Sequence, residues 1–474
     1  MDSGAADDLL RLGDTRLRSV FAGRPVVFAG RVAAALVPAV DQLRALGAPR
    51  FLIVHAGAGT GERPEGADVE SMPLGVVHED DFVAELRAEE RAITRPGTAV
   101  LDALERFDPD RRAVVLSAPF LDVRECAGRP VFGARRPEWV ALEDKMLADD
   151  LFDATSVPRP KGAVVRADPD AIARAVETID DGAGTVWSGD ARGGFNGGGA
   201  LVRWVRDDAD RADASDYLLP RCDRVRVAAY VEGVPCSIHG FVVDDGVAAF
   251  RPVELVTLRA AAAPRLRYCG CATYFDPPPD EVAAMRAAVR RVGEYLRATV
   301  GFRGAFTIDG IVSDRGWVAT ECNPRFGAGL GYAAVACPDL RLEILHAAVA
   351  EGVVDVPSSG IEELVVDAAA RTRWGGTWTS VTRVLSENTK TALVGGVDGF
   401  RRAAAGEVPD AVLSAGPGRT GGHVRVDFDP ARTPSGPSIA PRAVAGLAFA
   451  DAELDLGIGP LAPARPMTRR ATDR

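Results

Sequence analysis

Lysine is almost missing from this chain: Lys145, Lys161 and Lys390 stand against 53 arginines. Where arginine is used so freely, a lysine that persists draws attention, and Lys145 most of all. Positive charge is also short overall. The net charge of −11 argues against a nucleic-acid surface, which needs clustered basic side chains to neutralise phosphates. Histidine is scarce, at five residues, and no Ser–His–Asp or Cys–His arrangement can be assembled from them. The seven cysteines are odd in number and scattered, which fits a reducing cytoplasm better than a disulfide framework. Cys269-Gly-Cys271 lacks a matching pair and so does not make a zinc site. No apolar run approaches the roughly 20 residues that cross a bilayer. The opening Met1-Asp-Ser-Gly-Ala-Ala-Asp-Asp is acidic and has no apolar core, so no signal peptide is expected. These absences lead to the expectation of a cytoplasmic protein with neither nucleic-acid nor membrane partners.

What is present is ordinary globular material. With 474 residues, 47% hydrophobic and 26% charged, the chain is too long for one core and suggests several domains. The first stretch alternates strands at 25–30, 51–54, 74–77 and 113–117 with helices at 32–46, 80–91 and 97–107. That rhythm predicts a parallel sheet covered on both faces. The glycines at 57, 59 and 61 resemble a dinucleotide fingerprint only superficially. Arg63-Pro64 follows where a helix should begin, so the run reads as a plain loop.

From Trp139 the pattern changes. A helix over 139–152 carries Lys145, and strands follow at 162–166, 185–188 and 200–205. Between the last two lies Gly193-Gly-Phe-Asn-Gly-Gly-Gly199. Five glycines in seven positions lose much entropy on ordering, but they let backbone N–H groups approach an anion closely. Further strands are expected at 225–230, 237–243 and 250–258. A long amphipathic helix over 280–300 places Val282, Met285, Val289, Val292 and Leu296 on one face. The tail from 353 reads as a small β-rich or α+β appendage, with strands near 363–370, 381–385 and 391–394.

The most informative segment is a hairpin. Strands at 305–308 and 316–319, paired across the turn 313–316, bring Asp309 near Glu321 and Asn323. Glu321 and Asn323 are two apart and share one face of an extended segment. Two carboxylates and an amide oxygen are hard ligands suited to Mg²⁺, which completes its shell with water and phosphate oxygens. Arg325 lies two residues on, where its planar fork can meet phosphate or carboxylate.

This order of elements resembles the ATP-grasp superfamily of carboxylate–amine and carboxylate–thiol ligases over residues 20 to 355. The likeness rests on Glu143-Asp-Lys145 before a Val-Pro segment, the 193–199 glycine loop, and Asp309 followed by Glu321-Cys-Asn323-Pro-Arg325. The resemblance implies an α/β and α+β molecule with the ATP-grasp fold. Its parts would be an N-terminal Rossmann-like domain (1–135), a first lobe with the glycine loop (136–225), a second lobe with the metal site (226–355) and a small C-terminal domain (356–474). It implies ATP bound by Lys145, Ser188, Arg192, Gly193, Gly194, Asn196 and Gly197, with Ala229, Tyr230 and Val231 as the adenine hinge. One or two Mg²⁺ ions would sit on Asp309, Glu321 and Asn323. Arg325 and Arg267 are the implied catalytic cations, stabilising charge on an acyl phosphate and on the tetrahedral intermediate formed when an amine displaces phosphate.

Small-molecule amino-acid or peptide substrates are implied, and a homodimer through the N-terminal domain would suit the superfamily. The chain looks similar to actinobacterial amino-acid and peptide ligases of natural-product pathways. A biotin-carboxylase-like enzyme acting on bicarbonate, and a non-catalytic ATP-binding module, stay open as alternatives. Two departures stand out: Trp187-Ser188 replaces the second lysine before the glycine loop, and Pro235 replaces the ribose glutamate. Arg192 is the candidate substitute for the lysine. Arg251, Glu254, Arg259 and Arg303 are further candidates for the cleft, while His239 reads equally as a core group or a ligand. Cys322 reads as a small spacer between metal ligands.

Overall fold

A computed structural model describes residues 3–76, 82–192, 197, 199–260, 265–419 and 421–465. The chain opens with a parallel sheet of β1 (Val26–Ala29), β2 (Phe51–His55), β3 (Val69–Pro73) and β4 (Val114–Ser117), ordered β3-β2-β1-β4. β1, β2 and β4 are buried along nearly their whole length, as the apolar runs predict, while the edge strand β3 is largely exposed. Val26 and Phe28 enter one core with Leu17 and Phe21, whereas Val27 and Ala29 enter another with Ile93, Leu104 and Phe107. The third strand lies at 69–73 rather than 74–77, and Val77 falls outside the described residues. A short hairpin of β5 (Glu125–Cys126) and β6 (Arg129–Pro130) follows.

The next sheet is antiparallel, with β7 (Gly162–Arg166), β8 (Thr185–Gly189), β9 (Val202–Val205) and β10 (Arg224–Ala229) ordered β7-β10-β8-β9. Trp187 and Val227 bury one of its faces against Ile172, Val176 and Leu218 of two helices. The first of these helices, Pro169–Ile179, is stopped upstream by Asp168, whose side chain accepts from Ala171 N at 2.9 Å. The opposite face of this sheet, carrying Ser188 and Arg226 side by side, looks toward the rest of the molecule.

A 12-stranded sheet forms the largest layer. It contains β11 (Val234–Val243), β12 (Gly246–Ala249), β13 (Val253–Ala260), β14 (Leu266–Ala272), β15 (Gly304–Ser313) and β16 (Gly316–Asn323). It continues through β17 (Gly375–Val381), β18 (Thr389–Gly396), β19 (Gly399–Arg402), β20 (Ala411–Pro417) and β21 (Gly422–Phe428), while β22 (Leu461–Ala462) adds to β13. Its path runs β16-β15-β11-β13-β14-β17-β21-β20-β18-β19. Strands of the C-terminal region therefore extend the sheet of the second lobe through the β14–β17 pairing. The helix Pro279–Val300 covers one face, with Met285, Val289, Val292 and Leu296 packed against Val242 and Phe306 as their spacing predicts.

Three local expectations change. No strand forms over 381–385: Val381 ends β17, and residues 382–385 lie in the connection to β18, where Arg383 reaches out to Asp455. The helix expected over 139–152 is broken into Pro137–Val140, two 3-10 turns and Ala148–Ala154. Asp144 leaves the helical region and its side chain accepts from Met146 N at 3.1 Å, so a local cap outcompetes the helix and sets Lys145 on a turn. Residues 363–370 are helical, within Ser358–Arg371. Ile361, Val365, Ala368 and Ala369 are its buried positions, a spacing of three and four that outweighs the β-branched pair at 365–366.

His346 illustrates how the core is tied together. Its Nδ1 accepts from Ala305 N at 2.9 Å, and burial pushes its pKa down to about 4. The unfolded chain therefore takes up this proton before the folded one does. Stability should fall as pH drops from 6.5 toward 4, and denaturant midpoints across that window should show a smaller slope for His346→Gln.

Candidate functional site

The hairpin β15–β16 places the expected ligands together. Thr307 pairs with Asn323 and Asp309 with Glu321, and a register shift follows between Asp309 and Gly310. Alternation then puts Thr307, Asp309, Glu321 and Asn323 on one face. The Asp309 carboxylate accepts from Ser237 Oγ at 2.5 Å and from Asn323 Nδ2 at 3.0 Å. Burial raises its pKa first, and the facing Glu321 charge raises it further. Such a pair of carboxylates is in want of a cation.

Two cations, Lys145 and Arg325, already crowd it, and Arg135 stands behind Arg325 across Glu143. Lys145 Nζ lies 2.7 Å from Glu321 Oε1. Arg325 donates from Nη2 to Asn323 Oδ1 at 3.1 Å and from Nε to Glu143 Oε2 at 3.2 Å. The other Glu143 oxygen accepts from Arg135 Nη1, and Arg135 Nη2 reaches the Phe120 carbonyl at 2.9 Å. Carboxylates and cations are thus equal in number: Asp309, Glu321 and Glu143 against Lys145, Arg325 and Arg135. The side chains of Glu143 and Arg135 are 1% and 5% exposed, so these charges are held by one another rather than by water.

The floor beside Asp309 is polar and incompletely satisfied. Among the described residues, His239 Nδ1 and Thr307 Oγ1 are buried without hydrogen-bond partners. Burial drives the His239 imidazole down to about 3, so it is neutral. The loop after Arg325 is pressed onto these two groups. A Cβ on Gly327 would stand 2.5 Å from Thr307 Oγ1, and one on Gly329 would stand 2.6 Å from the His239 ring, so only glycine permits this approach. His239 is singled out by the sequence, but Ser237 and Thr307 are reachable from it only by combining strand alternation with a β11–β15 register that no local signal announces.

No group of three or more His, Cys, Asp or Glu side chains suited to a metal occurs among the described residues. What the site offers instead is two facing carboxylates and an amide. That donor set matches Mg²⁺, which takes few protein ligands and shares its shell with phosphate. It does not match a metal needing a full protein cage.

The remaining predicted residues are dispersed. Ser188 is buried on β8 beside Arg226, whose Nε and Nη2 both bond Asp149 Oδ1, at 3.0 and 2.7 Å. Arg192 donates from Nη1 to Asp223 and from Nη2 to the Pro220 carbonyl, each at 3.0 Å. Gly193, Gly194 and Asn196 lie outside the described residues, and the Gly197 carbonyl accepts from Ala200 N. Ala229 N and Tyr230 N donate to Lys161 O and Gly184 O, at 2.8 and 3.1 Å. Val231 is part-buried in the segment joining the two lobes. Arg267 donates to the Ser380 carbonyl at 3.1 Å, and no described contact brings it to Arg325 or Glu321.

The other cleft candidates find structural partners. Arg251 bonds Asp276 at 3.1 Å, and Arg303 pairs with Asp244. Glu254 is buried beneath the helix Ala440–Leu454, accepts from Ser438 Oγ at 2.6 Å and from Ile439 N at 2.9 Å, and is pushed up to about 7 by burial. Arg259 pairs with Glu232 at 3.1 Å, and Glu232 also accepts from Arg465 N at 2.7 Å. The chain's last described residues therefore return to the interlobe segment, where Tyr230 stacks on Trp204 at 4.3 Å.

No protein-family model and no curated protein matches this sequence. Solved structures do. Biotin carboxylase from Campylobacter jejuni, in a βγ-ATP complex, is similar over 85% of this chain and 87% of that one, with a TM-score of 0.53 and 14% identity. An N5-carboxyaminoimidazole ribonucleotide synthetase in its ADP complex is similar over 92% of this chain and 97% of that one, with a TM-score of 0.48 and 11% identity. An L-amino acid ligase from Bacillus licheniformis covers the same shares, with a TM-score of 0.45 and 11% identity. The chain has the ATP-grasp fold, with a Rossmann-like parallel sheet ahead of it. No helix among the described residues is long and apolar enough to cross a membrane.

Proposed function

We propose that this chain is an ATP- and Mg²⁺-dependent ligase that joins an amino-acid or peptide carboxylate to an amine and releases ADP and phosphate. The observation that carries this reading is the packing of Lys145 on Glu321 and of Arg325 on Asn323 around a half-buried Asp309. A pocket built only to bind nucleotide needs neither the carboxylate pair nor the buttressed arginine. The biotin carboxylase of Campylobacter jejuni, similar at a TM-score of 0.53, is itself a complex with a nucleotide, which supports ATP as the co-substrate.

In this reading residues 136–225 and 226–355 clamp the triphosphate, Lys145 holds phosphate, and Asp309, Glu321 and Asn323 hold Mg²⁺. Magnesium bound there would neutralise charge on the triphosphate. A substrate carboxylate oxygen attacks the γ-phosphorus and ADP departs, leaving an acyl phosphate. The amine then adds to the acyl carbon, phosphate leaves, and the nitrogen loses a proton. Arg325 is placed to meet the negative charge of both species, since Glu143 and Asn323 fix its guanidinium plane. Alignment and charge neutralisation supply this kind of catalysis, so the lack of a Ser–His–Asp or Cys–His arrangement is no obstacle. Ser188 offers no positive charge where a lysine is expected, and Arg226 and Arg192 are the nearest cationic candidates.

The test is ADP release measured with paired carboxylates and amines. Release that requires both an amino-acid carboxylate and an amine supports the reading. Release with bicarbonate alone would move the chain to a carboxylating enzyme, and tight Mg-ATP binding without any turnover would make it a nucleotide-binding module.

A further inference from the structure

The face that carries the metal-site residues does not stop at the second lobe. It runs on through β14 and β17 to β21, where strand alternation divides the side chains. Val424, Val426 and Phe428 enter a core beneath the helix Ala440–Leu454, while His423, Arg425 and Asp427 point the other way. On that side Arg425 stands directly opposite Trp378 and lies over its ring at 5.4 Å, and Trp378 meets the edge of Tyr268 at 6.0 Å. The face is continuous with the metal site. Strand register keeps both on one side: Ser237, which donates to Asp309, faces Val253, Leu255 faces Cys271, and Cys271 faces Gly376, two residues before Trp378.

Arg425 is built in a particular way. Its Nε and Nη2 both bond Asp427 Oδ1, at 2.7 and 2.6 Å, which fixes the guanidinium plane. Nη1 has no hydrogen bond among the described residues. The Arg425 side chain is 37% exposed and Tyr268 is 37% exposed, so cation and ring are reachable. The N-terminal unit closes the far end: Thr60 Oγ1 donates to the Pro417 carbonyl at 3.1 Å, and Gly61 N donates to Asn388 Oδ1 at 3.1 Å. An arginine held by a carboxylate on one edge and open on the other is a receptor for a second carboxylate. The aromatic rings beside it give an organic body somewhere to lie.

We propose that Arg425, braced by Asp427 and flanked by Trp378 and Tyr268, binds the carboxylate of the amine acceptor, so that the acceptor is an amino acid and not a simple amine. This rests on the ligase reading and narrows its substrate class. Arg425 takes no part in the phosphoryl step. Its role is to choose which amine approaches the acyl phosphate and from which side.

The experiment compares ADP release by the full-length chain with proteinogenic L-amino acids as acceptors against the corresponding amino-acid amides. The wild-type protein should prefer the free acids. Arg425→Gln should raise the acceptor KM by roughly ten- to a hundredfold for acids while leaving amides and the KM for ATP unchanged. Arg425→Lys should keep part of the preference, which separates a lost contact from misfolding, and Asp427→Asn should fall between. Equal KM values for acids in wild type and Arg425→Gln would overturn the proposal and leave the ligase standing, as would a loss shared equally by acids and amides. If neither acids nor amides support ADP release, the ligase reading fails and this subsite fails with it.

Discussion

Glu321→Gln should lower ADP formation by roughly 10²- to 10³-fold while the protein keeps its fold, because it removes a charge that the reaction uses and the core does not. Glu321 is 27% exposed, and a glutamine there keeps an amide oxygen for its partner Lys145, which is itself only 10% exposed. Asp309→Asn should do the same, since an asparagine can still accept from Ser237. Both variants should also lose the dependence of turnover on magnesium concentration. Unchanged turnover in Glu321→Gln would remove the basis for placing metal on this hairpin.

A second large effect is expected at Glu143, and there it falls on stability. Each Glu143 oxygen holds a different arginine, and the carboxylate is almost fully enclosed. Arg135 already feels burial as the main influence, which lowers its pKa against the support of Glu143. Glu143→Ala leaves two guanidinium groups facing each other without their shared anion. Breaking a buried pair of this kind costs about 3–5 kcal/mol. Thermal melts should fall by several degrees, and turnover should fall more than stability alone explains because Arg325 loses its brace. A melt indistinguishable from wild type would mean that water or another carboxylate replaces Glu143.

The two predictions differ in how far the sequence foretells them. Asp309, Glu321 and Asn323 could be grouped in advance because a tight turn at 313–316 and a period of two bring them together locally. Arg325 came with them for the same reason. Glu143 stood out as a neighbour of Lys145, but its grip on Arg325 spans 182 residues and has no local signature. The broken helix at 137–154 turned on one aspartate capping a turn, a detail that hydrophobic spacing does not register. Val365 and Val366 lean toward strand at 363–370, and the buried alanines that decide for helix carry little signal of their own. The pairings of β14 with β17 and of β13 with β22 join segments about a hundred and about two hundred residues apart, which one sequence cannot announce.

The β14–β17 seam has a mechanical consequence. Backbone hydrogen bonds run without interruption from the hairpin at one margin to the last strands at the other, so the large sheet is a single plank rather than two boards end to end. The four-stranded sheet is a separate piece, joined at one end through Tyr230 to Gly233 and at the other through the segment before β7, where Pro158 O accepts from Ala319 N at 2.7 Å. In the proposed ligase, closing around a nucleotide would move the smaller sheet against this plank. Sawing the plank at residue 356 would strip β14 of a neighbour and lay bare a raw edge that other chains could pair with.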